Sequence, residues 1–405
     1  VPESIDISDF DLNSVGRDFY IDPFPTYRAL RERSPVHRNP DGSFFLNKYE
    51  HVRRCFREPQ FSSDKKIDFL PKFGAGTPLY VHHTTSLVFN DDPAHARVRK
   101  LMAAAFTPRQ MAHLRPIVET FIDKMLDRLA AEREFDVIDD YALKLPTEIV
   151  ANMLGVPEDK RHLLHHYSEL ILGALDPVVS PEDMAAGHAA VEEFGAELEE
   201  IVAKRRENPN LGGQGEVLVA LIFGEVDGEK LSDLELIQNC IFLLNAGHET
   251  TANTVGAGID MLLDNPAQKK RLLDNASLID PLVEEALRYQ SPLQIAHRKA
   301  LTDVEFDGVK VPAGTFVHMC IAGANRDPDV FADPEKVDIG RDPNPHLAFG
   351  LGKHICMGNT LGRIEGTVAI GRFFEKFPYV ERNGEAKLHG RVKFRGLRKF
   401  PVRVR

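Results

Sequence analysis

The chain has 405 residues, with 50 Lys and Arg against 61 Asp and Glu, a formal net charge of −11 and 43 % hydrophobic residues. This acidic balance argues against nucleic acid or an anionic membrane surface as the main partner, because both reward excess Lys and Arg. The four cysteines, Cys55, Cys240, Cys320 and Cys356, form no CxxC pair, which argues against a zinc ribbon, a thioredoxin-like site and a disulfide scaffold and fits a reducing cytoplasm.

The start, Val1-Pro2-Glu3-Ser4-Ile5-Asp6, has neither the basic flank nor the apolar run of a signal peptide. No stretch reaches the roughly 18 apolar residues of a membrane span. With no repeat or convincing linker, residues 1–405 are expected to form one domain. Val36-His37-Arg38 and Ser43-Phe44-Phe45-Leu46 flank Asp41-Gly42 as a hairpin would. His95 and Arg99 are one helical turn apart after Asp92-Pro93, the pattern of an ordinary polar helix face. His162 and His166 are spaced i,i+4 but lack the Glu of a zinc-binding helix, and read as a solvated face.

Ser180-Pro181-Glu182-Asp183 combines a hydroxyl cap, a first-turn proline and acids near the positive dipole end. It predicts a helix to about Lys204, and Glu207 to Gly215 then reads as a loop. Ser232-Asp233-Leu234-Glu235 is a capping box, and no proline follows before Pro266. The helix it starts is roughly 45–50 Å long, enough to cross a whole domain. Asp280-Pro281 opens a shorter helix that ends before Ser291-Pro292 and carries Glu285 and Arg288 on one face. Val304-Glu305-Phe306 and Val309-Lys310-Val311 flank Asp307-Gly308 as a second hairpin, with Thr315-Phe316-Val317 as a further strand. The pattern is mainly α with small antiparallel β-sheets, an α+β class.

The sharpest feature is Phe349-Gly350-Leu351-Gly352-Lys353-His354-Ile355-Cys356-Met357-Gly358. Two glycines permit a tight backbone path, and the cysteine then lies where a helix begins, which favours the thiolate. Gly358 leaves room for something flat near the backbone.

This run resembles the haem-binding loop of the cytochrome P-450 family, soluble bacterial type. The resemblance extends from about Asp22-Pro23 to the C-terminus and implies that family's fold, with a long central helix over the haem. It implies haem b as cofactor, O2 as co-substrate and Cys356 as axial thiolate on the iron, within a loop that also contains Phe349 and Gly358. His354, His95, Arg99 and Arg298 match residues that hold haem propionates. Ala246-Gly247-His248-Glu249-Thr250-Thr251 resembles the oxygen-activation segment, with Ala246 against the haem and Glu249-Thr250 as the acid–alcohol pair for proton delivery. On residue pattern alone, the same stretch is a helix kinked at Gly247 with Thr250 bonded back to a carbonyl. His248 reads as a side chain packed between helices. Glu285-Ala286-Leu287-Arg288 matches a structural Glu-x-x-Arg helix, whose third basic partner is Lys336 or Arg341.

The implied reaction inserts one oxygen atom from O2 into a small lipophilic or aromatic molecule, by hydroxylation or O-dealkylation. Electrons would come from NAD(P)H through a ferredoxin reductase and an iron–sulfur ferredoxin. Arg97, Lys100, Arg109, Lys353 and Arg363 are the expected docking residues of a cytoplasmic, monomeric enzyme, or else a scatter of ordinary surface charges. By analogy the pocket draws on Phe69, Phe73, Tyr80, Leu244, Asn245, Ile295 and Leu397, with Lys65, Lys66 or Arg395 able to meet a substrate carboxylate. A peroxide-driven peroxygenase and a non-catalytic haem sensor are the alternatives, and neither explains Glu249-Thr250.

Overall fold

A helix of 32 residues, Asp233–Asp264, runs through the molecule as the capping box requires. The Glu235 N–H donates to Ser232 Oγ at 3.2 Å, and the Ser232 N–H donates to Glu235 Oε2 at 3.0 Å. Twenty of its residues are buried, so it is the central element of the main core. The computed structural model describes residues 5–176 and 179–405, and the acidic start Val1 to Ser4 lies outside them.

The helices Lys144–Leu154, Arg161–Gly173, Pro181–Glu207, Ile279–Gln290 and Asn359–Lys376 pack around this long helix. Ser180 caps Pro181–Glu207 as its sequence predicts, accepting the Asp183 N–H at 3.0 Å. Ile279–Gln290 ends at Ser291, which adopts φ +47° just before Pro292. Among the described residues no helix is long and apolar enough to cross a membrane.

Both predicted hairpins form. β1 (Val36–Arg38) pairs antiparallel with β2 (Phe44–Leu46). β3 (Phe61–Ser62) and β4 (Glu134–Asp136) follow, then β5 (Ile295–Ala300). β6 (Val304–Phe306) pairs with β7 (Val309–Val311). The further strand, β8 (Phe316–Cys320), joins the larger sheet, whose order is β1-β2-β8-β5-β3. The β2–β8 pairing is parallel, so this sheet is mixed rather than wholly antiparallel. Near the C-terminus come β9 (Glu381–Arg382), β10 (Lys387–Leu388), β11 (Leu397–Lys399) and β12 (Pro401–Arg403). The last pairs with both β4 and β9.

Strand alternation gives β5 two chemically different faces. Ala296 and Arg298 share one, and Arg298 lies over the Phe56 ring at 5.8 Å. Ile295, His297 and Lys299 share the other, opposite Cys320, His318 and Phe316 of β8.

Candidate active site

Glycine shapes the loop before the helix Asn359–Lys376. Gly352 has φ +69°, and a Cβ there would stand 2.6 Å from the Phe56 carbonyl oxygen, so only glycine fits. The turn places the Cys356 N–H on the Phe349 carbonyl at 2.8 Å, while the Phe349 ring lies 4.5 Å beneath the Arg363 guanidinium. Cys356 is exposed and the other three cysteines are buried. A Cβ on Gly358 would come within 4 Å of one atom only, Cys356 Sγ at 4.0 Å, so the approach to the sulfur stays open.

One expectation is corrected here. The helix begins three residues after Cys356, and its end does not by itself make a thiolate. Water reaches the sulfur, but the protein crowding it desolvates the thiol and pushes its pKa up; the Gly358 N–H, Arg99 and Arg363 act against this. A cation on the sulfur itself would tip the balance to the thiolate. Among the described residues no three His, Cys, Asp or Glu side chains are grouped to hold a metal ion. An iron at Cys356 would therefore need a non-protein frame.

Basic groups converge beside the loop. The His95 and His354 rings stack with centroids 3.9 Å apart. His95 Nδ1 meets Asp92 Oδ1 at 3.3 Å, while its Nε2 is buried with no partner among the described residues. Burial first, then Arg298, His95 and Arg99, pull His354 down to about 3. Arg99 donates to the Ile355 carbonyl at 2.7 Å. Among the described residues Arg298 bonds only its neighbour's carbonyl, and burial lowers its pKa to about 10. Asp92 is already paired with Lys353. A recess of about 520 Å³ opens beside His95, Arg99, Gly352 and Lys353. These groups suit a ligand that brings its own carboxylates.

On the central helix, Ala246 is exposed, and Thr250 one turn later is half-buried. Half-buried Leu243 lies about 60° from Ala246 around the helix and shares this open face. Leu244 is about 200° away and fully buried, so it packs into the core and is not a pocket wall. Thr250 Oγ1 donates to the Ala246 carbonyl at 3.0 Å, the back-bond that the residue pattern allows. Glu249 is buried, and both its oxygens accept from Arg391 Nη1 at 3.0 Å. Burial raises the Glu249 pKa and Arg391 opposes the rise. His248 is buried between helices, with Nε2 3.1 Å from His165 Nδ1, whereas His162 and His166 are exposed as expected.

The other expected pocket residues divide. Phe69 and Phe73 pack together at 5.3 Å between ring centroids, and Phe73, Leu397 and half-buried Tyr80 belong to the main core. Asn245 Nδ2 is 3.3 Å from His82 Nε2. Ile295 joins Tyr27, Phe45 and Cys320 on the far face of β5. Ala296, one residue on, shares the Arg298 face instead.

Glu285 and Arg288 are fully buried and joined by two bonds of 2.7 and 2.8 Å. Arg341 is the third partner, at 3.2 Å from Glu285 Oε2; Lys336 turns its side chain outward to Asp333. Two long-range side-chain links escaped sequence reasoning. Arg391 lies 142 positions from Glu249, and no local pattern announces the pair. Glu365 is buried and accepts from Thr251 Oγ1 at 3.3 Å.

The sequence matches the family described as cytochrome P-450 over residues 35–389. It is 34 % identical to the cytochrome P-450 monooxygenase PikC of Streptomyces venezuelae, across 98 % of this chain and 94 % of that protein. The fold is similar to the crystal structure of CalO2, with TM-score 0.92 and 29 % identity over 98 % of this chain and 99 % of that one. It is also similar to P450BioI in complex with acyl carrier protein ligated with hexadec-9Z-enoic acid, with TM-score 0.89 and 31 % identity over 96 % and 99 %. A family match across most of the chain, joined to relatives of this identity and coverage, fixes the lineage of the cysteine loop and the helix that crosses the core: the chain belongs to the cytochrome P-450 family, and is an oxidoreductase of the monooxygenase type.

Proposed function

We propose that the protein is a haem-b monooxygenase that hydroxylates or O-dealkylates an apolar organic molecule, with electrons from NAD(P)H through a ferredoxin reductase and a ferredoxin. One observation carries the reading: an exposed cysteine sulfur with an open approach sits beside His95, Arg99, Arg298 and His354. The residues fit the group. The orphaned His95 Nε2 and the Arg298 guanidinium, which has no carboxylate partner among the described residues, would hold the haem's carboxylates, and Cys356 would supply the thiolate to its iron. Bound haem supplies reductive activation of O2 and transfer of one oxygen atom to a C–H bond.

The protein's own part is positioning and proton control. Ala246 keeps the open helix face small enough for a haem to lie against it, and Thr250, one turn later, is on that face. Burial favours the protonated form of Glu249 and Arg391 opposes it, so the carboxyl can take a proton from solvent and pass it toward Thr250 Oγ1. Half-buried Leu243 on the open helix face supports an apolar substrate, and P450BioI, a relative in fold, binds a long acyl group.

The test is the absorption spectrum of the dithionite-reduced protein under carbon monoxide. The wild type is expected to show the long-wavelength band of a haem thiolate, and Cys356→Ser to lose it. A haem–imidazole spectrum in the wild type overturns the assignment.

A further inference from the structure

Glu249 is 9 % exposed, so a proton from solvent must reach it past a neighbouring side chain. Among the described residues the only side chain bonded to its carboxylate is Arg391, on the loop 389–396 that joins β10 to β11. That loop is held from several directions. Gly396 lies against the Asn253 amide, one turn beyond Glu249 on the central helix, with no room between them for a Cβ. The Gln294 N–H donates to the Lys393 carbonyl and the Arg395 N–H to the Pro292 carbonyl, both at 2.8 Å. Arg395 Nη2 donates to the Ile21 carbonyl at 3.0 Å, so this cation is spent on the fold.

Between the loop and the N-terminal helices Arg17–Ile21 and Phe24–Arg33 lies a crevice of about 10 Å³, the room that one water needs and far too little for an organic substrate. Exposed Gly390 and half-buried Tyr20, Arg391 and Val392 line it together with buried Tyr27 and Gln294. Two polar atoms of this lining, the Tyr27 hydroxyl and Gln294 Oε1, are buried with no hydrogen-bond partner among the described residues. The Gln294 amide is fixed through its Nε2, which donates to the Gln290 and Ser291 carbonyls at 2.7 and 2.6 Å. Its oxygen therefore cannot turn away to find another donor. Buried polar atoms in this position are satisfied by water, and water is also what carries a proton inward. Arg391 lines the same crevice and ends on Glu249, so one side chain links the crevice to the buried acid.

We infer that this crevice is the proton inlet of Glu249, with Arg391 as the positioning residue that joins the two. The inference rests on the role proposed for Glu249 above. While ionised, the carboxylate is held by Arg391 Nη1 through both oxygens at 3.0 Å. A proton passed from water to one of these oxygens neutralises the carboxyl and weakens the ion pair, which frees the acid to turn toward Thr250. When the proton leaves, the carboxylate returns to Arg391. Burial raises the Glu249 pKa, Arg391 lowers it, and the charges of Asp176 and Glu169 act with burial.

The test reads Glu249 directly, through the infrared carbonyl band of its protonated carboxyl in the haem-loaded protein, assigned by its loss in Glu249→Gln. The pH at which the band is half-developed is expected to rise by about one pH unit or more in Arg391→Gln and to stay near the wild-type value in Arg391→Lys. Peroxide released per NAD(P)H consumed should grow with pH as the acid loses its proton, and in Arg391→Gln that growth should move to higher pH with the infrared midpoint. A purely structural loss would raise peroxide equally at every pH. Val392→Phe narrows the crevice, and Tyr27→Phe keeps its shape while removing the hydroxyl. Both are expected to raise peroxide release severalfold with the infrared midpoint unmoved. An infrared midpoint that Arg391→Gln leaves in place overturns the inference. So does peroxide release unchanged in both crevice variants, which places the inlet elsewhere. Failure of the monooxygenase reading shows instead in the carbon monoxide spectrum, and leaves the infrared titration intact.

Discussion

Thr250 carries its hydroxyl on the open face of the central helix, yet donates it to the Ala246 carbonyl at 3.0 Å. A threonine that donates this way keeps both oxygen lone pairs free to accept a hydrogen bond. Thr250→Ala is expected to raise hydrogen peroxide released per NAD(P)H consumed severalfold, while the spin-state shift with substrate persists. Unchanged coupling removes Thr250 from the relay. Motif spacing singles out Glu249-Thr250 and Cys356 because the chemistry proposed for them depends on neighbours within one turn or loop. It misplaced Leu244 and Ile295 for a geometric reason. A slip of one residue is about 100° on a helix and a full change of face on a strand, so the half-buried neighbours Leu243 and Ala296 take the open positions.

Between elements, the least visible link in the sequence is Glu365 on the helix after the cysteine, against Thr251 on the central helix. Burial raises the Glu365 pKa from 4.5 to about 8, with the Thr251 hydroxyl acting in the other direction. The folded state therefore holds a proton that the unfolded chain has lost. Its stabilisation is full below about 4.5 and fades as pH rises toward about 8. Glu365→Gln keeps an acceptor and has nothing to ionise. Its melting temperature should exceed that of the wild type at pH 8.5, and the gap should close by pH 5; parallel melting curves at every pH would exclude the buried proton. The Glu285–Arg288 pair was legible from its i,i+3 spacing. Its third partner was not, because Arg341 and Lys336 both follow the helix and only the backbone path turns Lys336 outward.

For the molecule as a whole, the basic face looks weaker in three dimensions than in the sequence. Arg97 pairs with Glu229 and Glu235, Lys100 with Asp227, Lys353 with Asp92 and Arg363 with Glu284. Arg109 is exposed and has no ion-pair partner among the described residues. A docking acid must therefore displace internal partners, so each contact adds little. Lys353→Glu should weaken ferredoxin binding about fivefold at low ionic strength, with the difference vanishing at high salt. Equal affinity at low salt places the docking face elsewhere. The fold class was readable from helix caps and hairpin turns, but contacts between distant segments, such as Arg391 with Glu249, leave no local trace. The pairing of β12 with β4 has a consequence in time. Residues 401–403 complete an edge laid down by residues 134–136, and at about 5–20 residues per second a ribosome needs roughly 13–53 s to make the intervening chain. Through that interval β4 waits as an open strand edge, and Glu249 waits for Arg391, so the growing polypeptide depends on residues 401–403, or on a chaperone, to keep that edge from pairing with another chain.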